Sequence, residues 1–123
     1  MKAIEFTTKV NVSDQDINDI LVTAMEGGIN YWCRKVWVNG DLAEGQYASD
    51  GLKGETTNTL IFVDAEEPEE YSLNKESMYQ AIEKYIRNNL ECIYKDEIDC
   101  GQIDANGADI IVQTALFGEV QFG

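Results

Sequence analysis

At Gly27-Gly28 the apolar residues of this chain change their repeat, and that switch constrains the fold more than any bulk property. Before the two glycines, Ile17, Ile20, Leu21, Ala24 and Met25 recur at the spacing of a helix with one buried stripe. After them, Ile29, Tyr31, Cys33, Lys35, Trp37 and Asn39 alternate with Asn30, Trp32, Arg34, Val36 and Val38, the period of an extended strand. Ser13 is placed to cap the helix, with Asp14 and Asp16 in the first turn, where the helix dipole favours negative charge. The glycines are expected to close the helix in the left-handed conformation, and Asn39-Gly40 to end the strand in a turn. Each strand face carries a tryptophan, so the strand is expected to be central or covered on both sides.

Similar patterns run through the rest of the chain. Ile4, Phe6, Val10 and Val12 alternate with polar residues and predict a first strand. Residues 41–58 are polar, carry Gly45, Gly51 and Gly54, and read as a long surface loop or an irregular hairpin; residues 59–63 read as a strand of β-branched and aromatic residues. An acidic run follows at 64–70, then an extended stretch at 71–73. A second helix is expected from Asn74, with Leu73 and Met78 as a hydrophobic staple and a stripe of Met78, Ile82, Tyr85, Ile86, Leu90 and Ile93. Residues 95–102 read as a charged connector. Residues 108–118 predict a helix, although 110–112 is also a strand seed; Gly118 should break it and 120–122 add a short strand. No repeat or linker divides the 123 residues. The expectation is one α+β domain over residues 1–123, a small, mostly antiparallel sheet packed against two or three helices.

Charge and composition narrow the chemistry. The chain holds 23 Asp and Glu, 9 Lys and Arg and no His, a formal net charge of −14. Such a surface repels phosphate backbones and anionic lipid, so neither a nucleic-acid polymer nor a membrane is an expected partner. The absence of His removes the commonest general base, the Ser-His and Cys-His nucleophile pairs and most catalytic zinc sites; no enzyme, metal or cofactor is expected. Cys33, Cys92 and Cys100, odd in number and irregular in spacing, suit a reducing compartment, and no apolar run is long enough for a signal or a membrane span, so the expected location is the cytoplasm. Two constellations remain. The aromatic segment Tyr31, Trp32 and Trp37 reads either as core packing or as a pocket in which a ring stacks on a planar ligand while Arg34 or Lys35 holds an anion. The acidic residues Asp64, Glu66, Glu67, Glu69 and Glu70, with Asp96, Glu97 and Asp99, read either as solvated loops or as a stripe that imitates a nucleic-acid backbone and enters a basic groove.

Two short segments also resemble a known family. Residues 26–33, EGGINYWC, and residues 113–123, QTALFGEVQFG, are similar to the EGGxxYW and QxALFGExxFG segments of small phage and prophage proteins, the anti-Thoeris sponges. The resemblance implies sequestration, without chemistry, of a cyclic ADP-ribose type signalling nucleotide by a homo-oligomer, in the host cytosol. The resemblance carries over no individual contact; the residues themselves offer Tyr31, Trp32 and Trp37 as an aromatic face for the adenine and Arg34, Lys35 or Arg87 for the pyrophosphate, with Gln113 and Phe117 as candidates in the second segment, which is expected to meet the first within the chain or across a subunit boundary.

Overall fold

The first helix starts where its cap predicts. In the computed structural model, which describes residues 9–123, α1 spans Asp14–Thr23. The Ser13 hydroxyl accepts from the Asp16 amide at 3.0 Å, and the Asp16 carboxylate accepts from the Ser13 amide at 2.9 Å, a reciprocal capping box. The helix continues as one π-helical turn, Ala24–Gly28. Neither Gly27 nor Gly28 adopts a positive φ. The expectation of a left-handed stop is corrected: a Cβ on Gly28 would lie 2.5 Å from the Ala105 carbonyl oxygen, so glycine is required there for close approach of two helices.

Residues 29–32 form a turn, not a strand, with the amides of Trp32 and Cys33 both donating to the Ile29 carbonyl. The strand β1 spans Cys33–Asn39 and pairs antiparallel with β2 (Thr59–Asp64), which pairs in turn with β3 (Glu70–Leu73), in the order β1-β2-β3. Arg34 is an extra residue between the Cys33–Asp64 and Lys35–Val63 pairs, a bulge that resets the alternation. Opposed residues share a face, so Val36, Phe62 and Tyr71 point one way with Val38, Leu60 and Leu73, while Lys35, Val63 and Glu70 point the other way with Trp37, Ile61 and Ser72. The first set joins the core with the helices; the second forms the outer face of the sheet. Among the described residues β1 is thus an edge strand with one outward face, not the central strand expected, and β2 is the buried one.

Asn74 caps α2 (Lys75–Arg87), its side chain accepting from the Ser77 amide, and Leu73 and Met78 are both buried as a staple requires. The buried stripe of α2 is Met78, Ala81, Ile82 and Ile86; the helix stops before Leu90, which is 50% exposed. The expected connector contains a small antiparallel ribbon, β4 (Ile93–Tyr94) and β5 (Glu97–Ile98), turned by Lys95 and Asp96 at φ 50 and 63. The third helix, α3, covers Ala105–Phe117, capped by Asp104 and closed by Gly118 at φ 80. Residues 120–122 form no strand. Of the expected first strand, Ile4 and Phe6 lie outside the described residues; Val10 and Val12 pack against the core, and Asn11 makes a single parallel bridge to Glu97. The architecture is α+β, three helices on the inner face of a three-stranded antiparallel sheet with a two-stranded ribbon beside them. Among the described residues no helix is long and apolar enough to cross a membrane.

Candidate functional site

The helix α3 is apolar along most of its length, yet Asp109 and Gln113, one turn apart and therefore on one face, are 5% and 0% exposed. Burying a carboxylate without a cation is costly unless donors surround it. Three do so: the Tyr31 hydroxyl at 2.6 Å, the Trp32 indole Nε1–H at 2.8 Å and the Gln113 Nε2–H at 2.9 Å. The Tyr31 hydroxyl has one proton, and the shorter, charge-assisted bond to Asp109 takes it in preference to the Phe122 carbonyl at 3.1 Å. Burial of this hydroxyl, and then its bond to Asp109, push the Tyr31 phenol up to about 12, although half of the ring is exposed.

Gln113 faces the other way with its remaining groups. Its Oε1 accepts from the amides of Gln121 and Phe122 at 2.8 and 2.7 Å, and its Nε2 reaches the Phe122 carbonyl at 3.1 Å. The side-chain amide therefore reads a backbone amide and carbonyl as a neighbouring strand would, and straps residues 121–122 to the body. The Phe122 ring then lies flat on the Trp32 indole, centroids 5.0 Å apart and planes 6° from parallel. Phe62 stacks near Trp32 at 6.3 Å, and Phe117 and Tyr71 complete the cluster edge-on. The two segments that carry the family resemblance thus meet within one chain, with Trp32 and Phe117 6.4 Å apart, and form one packing unit.

The expected ligand residues divide between three places. Tyr31, Trp32, Gln113 and Phe117 come together in this internal cluster. Trp32 is 3% exposed and packed between Phe122 and Phe62, and Gln113 has its donors and acceptor engaged, so in this chain both hold the fold and neither is presented to a ligand. Arg34, Lys35 and Trp37 stand instead at the exposed β1 edge, where Trp37 is 37% exposed on the outer face and Arg34 donates to the Asp64 carbonyl at 3.3 Å. Arg87 is exposed on α2 and paired with Glu83 at 2.6 Å. Asp109 and Phe122, the centre of the cluster, were not among the expected residues; the signal for Asp109 was a polar pair four residues apart on an apolar helix.

The acidic set divides as well. Asp64 is buried and organises the β2–β3 turn, accepting from the amides of Glu66 and Glu67 at 2.8 and 3.0 Å and from the Tyr71 hydroxyl at 2.7 Å. Those bonds hold its carboxyl below the usual range, and the bond to Asp64 is the first reason that the Tyr71 phenol rises to about 12. Its expected place in an exposed stripe is corrected. Glu66, Glu67 and Glu69 are exposed on the turn and Glu70 at the start of β3, and Asp96, Glu97 and Asp99 are exposed on and beside the separate β4–β5 ribbon.

Reactive groups are few. The three cysteines are free, and burial pushes the thiols of Cys33 and Cys92 up; burial, then the charge of Asp16, takes Cys100 up to about 12, so all three are neutral at pH 7. No group of three His, Cys, Asp or Glu among the described residues is placed to hold a metal ion. A shallow, open concavity of about 600 Å³ is lined by Asp41, Glu55, Thr56, Thr57 and Asn58, whose two carboxylates oppose an anionic ligand. No family model, no curated protein and no solved structure matches the chain.

Proposed function

We propose that this is a non-enzymatic binding protein of phage or prophage origin that sequesters a cyclic ADP-ribose type nucleotide in the bacterial cytosol, as the anti-Thoeris sponges do. The outer face of the sheet supplies the contacts, and a homo-oligomer encloses the ligand between such faces. The observation that carries this reading is the outer-face placement of Trp37 and Lys35, two residues apart, with Arg34 at the bulge beside them. Neither cation forms an ion pair with a carboxylate among the described residues. An exposed indole stacks on adenine, and two adjacent cations offset the charge of a pyrophosphate on a molecule that is otherwise strongly negative. Calorimetric titration with a panel of cyclic ADP-ribose isomers tests it. Saturable binding, release of the ligand intact on heating, and a loss of about tenfold or more in affinity in Lys35→Glu and Trp37→Ala are expected; a flat titration across the panel overturns it.

A second reading is favoured by one observation, the exposure of Glu66, Glu67 and Glu69 on the β2–β3 connection with Glu70 exposed at the start of β3. Here the turn enters the basic groove of a host nuclease in place of nucleic acid. Binding to such an enzyme would fall steeply with salt and be abolished when the four glutamates are reversed to Lys.

A further inference from the structure

A glycine after Asn or Asp lets a chain react with itself, because no Cβ hinders its amide nitrogen from reaching the side-chain carbonyl carbon of the residue before it. The sequence offers three such pairs, Asn39-Gly40, Asp50-Gly51 and Asn106-Gly107. The fold ties down two of them. The Gly51 amide donates to the Ala48 carbonyl at 3.0 Å, and the Asp50 carboxylate is engaged by the Tyr47 amide, the Asn18 side chain and Lys53. The Gly107 amide donates to the Asp104 carboxylate at 2.8 Å in the first turn of α3, where the helix fixes the backbone. Asn39-Gly40 is held differently. It lies where β1 ends, both residues are exposed, and Gly40 adopts φ 140. Among the described residues neither the Asn39 side chain nor the Gly40 amide has a hydrogen-bond partner. Asn58 clamps only the next residue, accepting from the Asp41 amide at 3.0 Å and donating to the Asp41 carbonyl at 2.6 Å.

We propose that Asn39 is a site of spontaneous deamidation, and that the product regulates the outer face of the sheet. The Gly40 nitrogen gives up its proton and attacks the Asn39 Cγ; the Cγ–Nδ2 bond breaks, ammonia leaves, and a succinimide closes. Water then opens the ring at either carbonyl carbon, giving aspartate, or isoaspartate, in which the chain runs through Cγ and is one carbon longer. The net exchange is an amide and water for a carboxylate and ammonium, so no oxidant or second protein is needed. Asn39 opposes Thr59 and continues the face that carries Lys35 and Trp37. A carboxylate there stands two residues from Trp37 and opposes an anion held by Lys35. The deamidation stands on the fold alone; its effect on binding rests on the nucleotide reading.

Peptide mapping by mass spectrometry, after incubation of the folded chain at mildly alkaline pH, tests the chemistry. A gain of about 1 Da should accumulate at residue 39 at least about tenfold faster than at residue 106. In urea the gap should close to about twofold, because the fold is what separates the two pairs. Equal rates in the folded chain, or a gap that survives in urea, overturn the proposal. Asn39→Gln, whose ring closure is far slower, should abolish the gain in that peptide. For the regulatory role, Asn39→Asp should weaken binding of cyclic ADP-ribose isomers by about threefold or more, and an unchanged affinity overturns that role. If the parent chain binds none of the isomers, the sponge reading falls and takes the regulatory role with it, while the mass map still decides the deamidation.

Discussion

Trp32 and Trp37 stand five residues apart on one segment and meet opposite fates. Trp32 lies in the turn before β1, is 3% exposed, donates its indole N–H to a buried carboxylate and is packed between two phenylalanines. Trp37 lies on the outer face of an edge strand with Lys35 as its neighbour and is 37% exposed. Simple alternation from Ile29 to Asn39 also puts the two rings on opposite faces, but as part of one strand packed on both sides. The π-helical turn, the 29–32 turn and the Arg34 bulge change that meaning, so that one tryptophan closes the core while the other stands on the outer face. Aromatic residues near each other in sequence are therefore not one site, and the two rings should respond to mutation in different ways.

The largest expected difference is in stability. Trp32→Ala removes a buried ring that touches Phe62, Phe117 and Phe122 and takes a donor from Asp109, and it should cost about 3–5 kcal/mol in urea unfolding. A loss below about 1 kcal/mol would mean that the cluster does not anchor the fold. Next comes Asp109→Ala. It leaves the hydroxyl of Tyr31 and the indole N–H of Trp32 without their shared acceptor, at a cost of roughly 1–3 kcal/mol. Asp109→Asn keeps an acceptor but adds two N–H groups where three donors already converge, so it should recover only part of the loss.

Much of the fold was legible because its signals are local. The Ser13 cap, the start of a helix near Asn74, the Leu73–Met78 staple and the Gly118 stop each depend on residues within one turn of one another. What failed was non-local or lacked the usual residue. The β4–β5 ribbon turns on Lys95 and Asp96, both at positive φ, where glycine or asparagine would have announced the turn. Gly28 reads locally as a stop, but its partner is Ala105, on a helix near the other end of the chain. The centre of the internal cluster joins Tyr31 to Asp109 across 78 residues, a contact that no periodicity encodes. Asp109 and Gln113 left a readable trace, since polar residues four apart on an apolar stripe need each other or a third group.

A smaller effect comes from alkali. Tyr31 and Tyr71 both ionise at about 12 in the folded chain, against 10.0 for an unperturbed tyrosine, because each is hydrogen-bonded to a carboxylate and desolvated. The unfolded chain gives up these protons first. Their contribution is therefore complete below pH 10 and is lost as the pH rises toward 12. Urea unfolding at a series of pH values should show the decline in the native sequence and a weaker one in Tyr31→Phe, which has one fewer phenol to ionise. Asp64, with its carboxyl held low by the amides of Glu66 and Glu67, acts in the opposite sense and loses its contribution only as the pH falls below the ordinary carboxylate range.

The smallest effect on stability belongs to Trp37, and it separates the two rings most cleanly. Trp37→Ala takes away an indole that is already more than one-third exposed, on an edge strand whose backbone pairing with Ile61 does not use the side chain. The unfolding free energy should therefore change by less than about 1 kcal/mol. Nucleotide binding, if the outer face is the site, should fall in the same variant by about tenfold or more. A variant that unfolds as Trp32→Ala does would place Trp37 in a structural role and leave the outer face without its stacking ring. A variant as stable as the parent that still binds nucleotide at full strength would move the ligand off this face, and Lys35→Glu then decides whether the β1 cations take part at all.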